Sequence, residues 1–498
     1  MPKAAPSSSV EEGFMDTEVI VVGAGPAGLM LAGELRLAGI GVTVLERLPE
    51  STGESRGLGF TTRTMEVFDQ RGLLPRFGDL ETSAQGHFGG VPLDLSVLDG
   101  AHLPNKTIPQ SRTEGVLEEW AVELGADLRR GHELVSFTEH ADHVEAEVRG
   151  PGGTLSLSAS YLVGCDGGRS TVRKMAGFDF PGTAATLEMY LADVRGLDLR
   201  QRMIGETLPG GMVMVGHLDG GITRLIVCES GTPPKKRTEG VPYTDVAAAW
   251  QRLTGEDISH GEPVWISSFG NATRQVTEYR RGRVLLAGDS AHIHLPAGGQ
   301  GMNTSLQDSV NLGWKLAAVV RGTAPQSLLD TYHAERHPVG ERLMMNTRAQ
   351  GLLFLSGSEM QPLRDVLREL TAYPDVTLHL ARMVSGLEIR YDVGPGDHPL
   401  LGRRLPHVEL VGGDAKTSTT ELLHCARGVL LDLADDAPLR EAAAPWADRV
   451  DVVTAAPHEP GPLDGTTALL VRPDGHVAWT ATRPEDLAPV LERWFGPA

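Results

Sequence analysis

The sequence predicts an α/β protein in three parts: a parallel-sheet domain, an antiparallel sheet inserted into it, and a small C-terminal α/β domain. Three observations predict this. A complete strand–turn–helix–strand unit occupies Glu18 to Glu46. A strand-rich, irregular stretch runs from about Thr186 to Phe269 and includes MVMVG, ITRLIVCE and PVWISSF. After a Pro- and Gly-rich segment, His398 to Pro406, come two strands, a hairpin and a final amphipathic helix.

Glu18 to Val22 (EVIVV) is a short apolar run, read as a buried parallel strand. GAGPAG, Gly23 to Gly28, follows directly, and LMLAGELRLAG reads as a helix ending near Gly39. Val42 to Leu45 is the second strand, closed by Glu46. Gln110 to Leu124 is helical, with Leu117, Trp120, Ala121 and Leu124 on one side. Residues 132–164 alternate like strands. Val284 to Ala287 is another apolar strand, and a long helical region follows from about Met302 to Leu380. In the C-terminal part the PDG turn joins two strands as a hairpin.

Composition narrows the function. The 498 residues carry a net charge of −20, which argues against nucleic acid or an anionic membrane as the main partner. Apolar residues at 41% and charged residues at 22% fit a globular protein. Sixty glycines point to tight turns and close backbone approaches. Cys165, Cys228 and Cys425 are widely spaced, with no CxxC, which fits a reducing cytoplasm and leaves structural zinc improbable. Met1 to Gly13 carries no apolar run, so residues 1–16 are expected to be a disordered leader rather than a secretory signal. No apolar run is long enough for a membrane span.

Three motifs carry chemistry. In the first, Gly23 permits the turn after the strand, Gly25 lets backbone N–H groups approach a pyrophosphate, and Gly28 lets the helix pack on the sheet. Pro26 and Ala27 open the helix, whose N-terminus favours phosphate. Glu46, eighteen positions after Gly28, places a carboxylate where a ribose can donate to it. An acid there argues for FAD or NAD rather than NADP. The second motif is Asp166-Gly-Gly-Arg-Ser170-Thr-Val-Arg173, straight after the strand YLVG. Alone it reads as a turn and a helix cap. Arg169 and Arg173 are either a clamp for a nucleotide phosphate or solvated, helix-capping cations. The third is Gly288-Asp289-Ser-Ala-His292, then Pro296-Ala-Gly-Gly-Gln-Gly-Met-Asn303. Asp289 leaves a strand end and can accept from ribityl hydroxyls. Gly298, Gly299, Gln300 and Gly301 let the chain pass close to a flat ring, and the helix from Met302 turns its positive end toward it.

These motifs, in this order, resemble the class A flavoprotein aromatic hydroxylases, the para-hydroxybenzoate hydroxylase superfamily, over about Thr17 to Leu380. SRGLGFTTRTMEVFDQRG, PGTAATLEMYLADV and AGDSAHIHLPAGGQGMNTS resemble the streptomycete angucycline hydroxylases, which oxidise the tetracyclic core near ring position 12. The resemblance implies a Rossmann-like FAD-binding domain of the GR2 type over 17–185 and 270–397 with a helical extension. It implies a substrate sheet over 186–269, with part of 75–110, and a thioredoxin-like domain over 398–498. Without CxxC that last domain reads as structural or dimer-forming. Carried over by position, Arg47 lies by the adenosine, Arg56 contacts FAD phosphates, Gln110 lies near the ribityl chain, and Asp166 supports FAD and NAD(P)H docking. Gly288, Asp289 and Pro296, Gly298, Gly299, Gln300, Gly301, Met302 and Asn303 hold ribityl and isoalloxazine. Ser290 stands where alanine is commoner.

The implied enzyme is a cytoplasmic monooxygenase that takes NADPH (NADH is possible) and molecular oxygen. A C4a-hydroperoxyflavin passes oxygen to an aromatic polyketide, and the flavin does the chemistry without a side-chain nucleophile. No second complete dinucleotide fingerprint is visible, so the nicotinamide is expected to dock transiently. Baeyer–Villiger oxidation uses the same flavin chemistry and stays open; a non-enzymatic FAD-binding scaffold is the other alternative. An NAD-dependent dehydrogenase would explain Gly23 to Glu46 but not Asp289 to Asn303, and a flavin halogenase would show WxWxIP, which is absent. His292 and His294 form HxH, yet no further ligand follows at metal spacing, so cofactor-loop hydrogen bonding is expected. Met189, Met203, Met212 and Met214 either line a soft apolar pocket or pack in the core. Cys165 reads as a buried strand-end thiol.

Overall fold

Val19–Val22 is a central strand of a six-stranded sheet in the computed structural model, which describes residues 15–498 apart from 56, 81, 99–100, 236, 238–239, 413–414 and 482–485. Most of the expected leader, and Arg56, therefore lie outside the described residues. Asp16 does not belong to a loose leader: its Oδ2 accepts from Ser158 N at 2.8 Å.

Across the sheet the strands are Arg280–Arg281, Val284–Leu286, Tyr161–Gly164, Val19–Val22, Val42–Glu46 and Asp127–Arg130. All neighbours run parallel except the first pair. Val22 lies opposite Leu45 on one side and Gly164 on the other, and Gly164 lies opposite Leu286. Four segments therefore leave the sheet side by side at its carboxyl edge, where open α/β sheets place ligands. Helices α1 (Pro26–Leu37), α2 (Thr62–Asp69), α3 (Gln110–Glu123) and the short α4 (Thr171–Met175) belong to this unit.

A five-stranded antiparallel sheet is inserted over Glu188–Gly270 in the order Arg202–Leu208, Gly211–Leu218, Ile222–Glu229, Glu188–Arg195, Glu262–Gly270. Alternate residues point to opposite faces. Tyr190, Ala192, Val213, Val215, Leu225 and Val227 pack under α5 (Tyr243–Thr254) with Trp250. Met189, Met212 and Cys228 face the other way, toward Leu295, Phe354 and Leu355.

The single helical region expected over 302–380 is four helices: α6 (Gln300–Val320), α7 (Asp330–Leu355), α8 (Gln361–Leu370) and α9 (Pro374–Ser385). Gly322, with φ +72°, turns the chain after α6, and Pro374 starts α9. Among the described residues, no helix is long and apolar enough to cross a membrane.

The Pro- and Gly-rich segment 398–406 reads as a linker in sequence, and in the structure it is packed into the fold. Leu401 and Leu405 are buried, and backbone bonds run from Gly402 N to Val477 O (2.9 Å) and Leu405 N to Gly475 O (2.8 Å). It is built into a four-stranded sheet unit ordered Val450–Thr454, Gly428–Asp432, Ala468–Val471, Val477–Thr480, whose first pair is parallel and whose others are antiparallel. Helices α10 (Ala437–Ala443) and α11 (Leu487–Phe495) flank it. The predicted hairpin is present, and its turn reaches into the larger domain.

There Arg472 meets Glu335 of α7 at 2.5 and 2.9 Å and Asp474 of its own turn. Lys315 Nζ of α6 donates to Glu335 Oε2 and Asn311 Oδ1, both at 2.8 Å. Two cations and two anions balance in a dry interior. Burial alone would raise the Glu335 carboxyl, but Arg472 and Lys315 hold it down to about 2. Its folded value lies below the usual 4.5, so its stabilisation is complete above pH 4.5 and drains away as pH falls toward 2. Stability measured by urea unfolding should fall more steeply over that window in the wild type than in Glu335→Gln; equal slopes would show that this carboxylate carries no such linkage.

Candidate active site

The first motif forms the tight turn expected. Gly23 has φ +105°, and a Cβ on it would lie 2.5 Å from Cys165 O. A Cβ on Gly28 would lie 2.0 Å from Gly23 O, so only glycine lets α1 start this close to the strand. Gly25 is the N-cap of α1, with no side-chain cap and open space where a Cβ would stand. The N–H groups of Ala27 and Gly28, in the first turn after Pro26, therefore have no acceptor within α1 and can meet a phosphate. Glu46 holds the neighbouring turn: Oε2 accepts from Ala24 N and Oε1 from Leu48 N, each at 2.9 Å. Each oxygen retains a second lone pair for a ribose hydroxyl. Arg47, next along, is exposed.

One strand over, Asp166 Oδ2 accepts from Thr171 N and Val172 N at 2.6 and 3.1 Å, the first amides of α4, whose N-cap is Ser170. Its Oδ1 is buried without a hydrogen-bond partner among the described residues. A buried carboxylate oxygen left bare suits an incoming donor. Arg173 turns inward and donates to Ser290 O and Gly168 O, both at 2.8 Å, so it is spent on the protein. Cys165 is buried and its thiol is pushed up by burial, as an inert strand-end thiol.

The third motif begins at the next strand end. Gly288–Ser290 is one turn of 3₁₀ helix with Asp289 exposed. Ser290 is fully buried, with Oγ 2.5 Å from Gly164 O, so it stitches this turn to the end of the strand that precedes Asp166. Asp308, on α6, supports the turn from behind. Its Oδ2 accepts from Gly288 N (3.2 Å) and His292 Nε2 (2.7 Å), and its Oδ1 from Arg336 Nε (2.7 Å). Burial pushes its carboxyl up, but Arg336 and His292 outweigh that and hold it below the usual range. Asp308 was missed by sequence reasoning. The available signal was the spacing Asp308, Asn311, Lys315, a polar stripe on one face of an apolar helix. His294 turns Nδ1 to Leu295 O at 2.7 Å, and burial lowers it to about 4, so it stays neutral near pH 7.

Past this turn, Gly298 and Gly299 both have φ +67° and are exposed, and α6 starts at Gln300, two residues earlier than expected. Asn303 is used by the protein: Oδ1 accepts from Thr61 N (2.9 Å), and Nδ2 donates to Gly59 O (3.0 Å) and Gly299 O (2.8 Å). It pins the 59–61 segment to the glycine loop. Gln110 Oε1 accepts from Gly57 N at 3.3 Å, and a Cβ on Gly57 would lie 2.8 Å from Met302 Cε. Gln110, Met302 and Asn303 therefore hold the 57–61 segment against the loop of Pro296 to Gly301. A cavity of about 420 Å³ lies beside it, lined by Thr61, Gln300, Asn303, Leu343, Asn346 and Tyr391.

The apolar face of the antiparallel sheet meets the same loop. Met189, Met212, Cys228, Leu295, Phe354 and Leu355 cluster there, with Met214 and Ala297 partly buried against them. Met203 does not join; it is 48% exposed. Away from this edge, Asp69, His102 and His407 come within 4.8 Å of one another, which sequence spacing could not show. Their imidazoles stack at 3.5 Å, with His102 on Asp69 and His407 on Thr420, a polar contact between the two domains.

The comparisons with known proteins agree with this geometry. Residues 16–347 match the FAD binding domain family, and residues 398–498 match the aromatic-ring hydroxylase C-terminal family. A Streptomyces rimosus 12-dehydrotetracycline 5-monooxygenase/anhydrotetracycline 6-monooxygenase is 44% identical, over 97% of this chain and 99% of that one. The crystal structure of CabE, an aromatic hydroxylase from angucycline biosynthesis, is 68% identical with a TM-score of 0.95, covering 97% of this chain and 100% of that chain. BexE, studied for oxidation during BE-7585A biosynthesis, is 70% identical with a TM-score of 0.94 and the same coverage. The cradle at α1, the bare oxygen of Asp166 and the glycine loop before α6 fit the cofactor those matches imply, and the chain belongs to the FAD-dependent aromatic-ring hydroxylases.

Proposed function

We propose that this enzyme hydroxylates an angucycline-type aromatic polyketide, with NADPH as reductant and molecular oxygen as the second substrate. The observation that carries the reading is the register of the parallel sheet. It sets Gly23, Glu46, Asp166 and Asp289 along one edge, beside a buried apolar cluster that includes Met189 and Met212. The likeness to CabE along 97% of the chain supports the substrate class.

In this reading the N–H groups of Gly25, Ala27 and Gly28 hold the pyrophosphate, and Glu46 accepts from the adenosine ribose, with Arg47 next to it in the chain; the resemblance assigns Arg56 to the phosphates. Gly288 and Asp289 meet the ribityl chain, and Gln110 sits at its side. Gly298 to Asn303 back the ring. FAD, when bound, supplies electron transfer from the nicotinamide and activation of oxygen. The chain's own part is to bind, orient and keep water out. The positive end of α6 stabilises negative charge beside it, and Met189, Met212, Leu295 and Phe354 form a dry wall against a flat substrate. One oxygen atom enters the ring and the other leaves as water. Asp166 offers its bare oxygen to the reductant or to the cofactor.

Residues 398–498 are read as a thioredoxin-like appendage. Its mixed four-stranded sheet, flanked by α10 and α11, supports this. Without paired cysteines it is structural, and it is welded to α6 and α7 through Arg472.

The test is NADPH and oxygen consumption by the yellow holoprotein, with and without an angucyclinone, together with product mass and connectivity. Substrate-stimulated NADPH use and a hydroxylated ring one oxygen heavier are expected. NADPH oxidation that ignores every angucyclinone would overturn the substrate class. A ring-expanded lactone would replace hydroxylation by Baeyer–Villiger chemistry.

A further inference from the structure

Gly89 and Gly90, with φ +57° and +86°, close a hairpin of strands Gln85–Phe88 and Val91–Asp94. Two left-handed residues in a row are what a two-residue hairpin turn requires. The turn rests on α7, where a Cβ on Gly89 would lie 2.7 Å from Leu353 Cβ. The hairpin also packs against the apolar cluster: the His87 ring stacks on Phe354 with centroids 6.0 Å apart, and Phe354 is buried with Met212 and Leu295.

A line of amides leads from this turn to the glycine loop. Gly89 N donates to Gln350 Oε1 at 3.2 Å. Gln350 Nε2 donates to Asn346 Oδ1 at 2.9 Å, and Asn346 Nδ2 to Gln300 Oε1 at 3.0 Å. Gln300 Nε2 then donates to Ala297 O at 3.4 Å. All three side chains are buried. Gly298 lies against them, for a Cβ there would be 3.2 Å from Gln300 Nε2 and 3.5 Å from Gln350 Oε1.

The polarity of this line is set at both ends. A backbone N–H only donates and a backbone C=O only accepts. Each amide between them must therefore turn its oxygen toward Gly89 and its nitrogen toward Ala297. Flipping any one leaves two like atoms facing each other between buried side chains, where unmet polar groups are costly.

We propose that Gln300, Asn346 and Gln350 are positioning residues that couple the 85–94 hairpin to the 296–301 loop, so that a substrate seated under the hairpin is felt at the loop backing the flavin. The proposal rests on the reading of this site as a flavin hydroxylase. It predicts a long-range consequence of a nearly isosteric change. In Asn346→Asp the carboxylate still satisfies Gln350, but it forces Gln300 to flip and turn its oxygen on Ala297 O. Gln350→Met keeps volume and deletes the link nearest the hairpin.

The test is hydrogen-exchange mass spectrometry on holoenzyme, with product formed per NADPH as a second readout. Without substrate, each variant should exchange about fivefold faster in both 85–94 and 296–303, while the first half of α7 keeps its protection. An angucyclinone should slow both segments in the wild type but only the hairpin in the variants, and product per NADPH should fall about fivefold with FAD affinity retained. Loosening confined to α7 around the substitution, or an unchanged glycine loop, would overturn the coupling. If Asn346→Asp does not fold, Gln350→Met decides alone. A wild type indifferent to angucyclinones would sink the substrate reading instead, and the substrate-free exchange would still judge the coupling.

Discussion

Replacing Arg472 by methionine should lower the free energy of unfolding by about 3–5 kcal/mol, the cost of stripping one partner from a buried charge network. Arg472 is 0% exposed and holds Glu335 and Asp474 together across the domain boundary. Its guanidinium also lies 4.6 Å from the Trp494 ring and 5.4 Å from the Trp314 ring, so the methionine keeps some packing and loses the charge. Removing it leaves two carboxylates and one ammonium in a buried site. The double variant Arg472→Met/Glu335→Gln restores one cation, Lys315, to one anion, Asp474, and should recover a good part of the loss. Urea unfolding followed by tryptophan emission and flavin release checks both. A loss under about 1 kcal/mol in the single variant would mean that the domain contact rests on its apolar part.

Gly28→Ala should yield protein without yellow colour. The added Cβ would stand 2.0 Å from Gly23 O, and that oxygen is backbone and cannot swing aside. The turn must open, and the amides of α1 leave their phosphate geometry while the sheet beneath is spared. FAD affinity should fall about 100-fold or more, roughly 2.7 kcal/mol, with secondary structure retained. Flavin-fluorescence titration of the apoprotein measures this. Wild-type affinity would show that the helix start is not the phosphate site.

The parallel sheet, its glycine turn and its acid were legible because each is encoded locally. A strand buried on both faces has to be an apolar run, a turn with φ +105° has to be glycine, and the acid follows the next strand end. The antiparallel insert was legible by its strand segments MVMVG, ITRLIVCE and PVWISSF, whereas the helix α5 within it was not read. The breaks among α6 to α9 were not, since several short amphipathic helices in series carry the same period as one long one. The segment 398–406 read as a linker because its Pro and Gly content shows where regular structure stops, not whether loops are buried. Only contact with Gly475 and Val477 buries it. Arg173 showed the same limit: a cation after a glycine turn reads equally as a phosphate clamp or as a solvated, helix-capping residue, and only the structure shows Ser290 O and Gly168 O taking it.

By itself the sequence determined the nature of the cofactor edge. Turn geometry, helix starts and strand ends depend on a few consecutive residues, and their chemistry is spelled in order from Gly23 to Asn303. The tertiary structure alone decided what supports that edge. Asp308 under Gly288, Arg472 in the heart of α6 and α7, and the amides from Gly89 to Ala297 join residues 20, 137 and 208 positions apart or more. A buried polar group must find a partner, but nothing in its neighbours along the chain says which one.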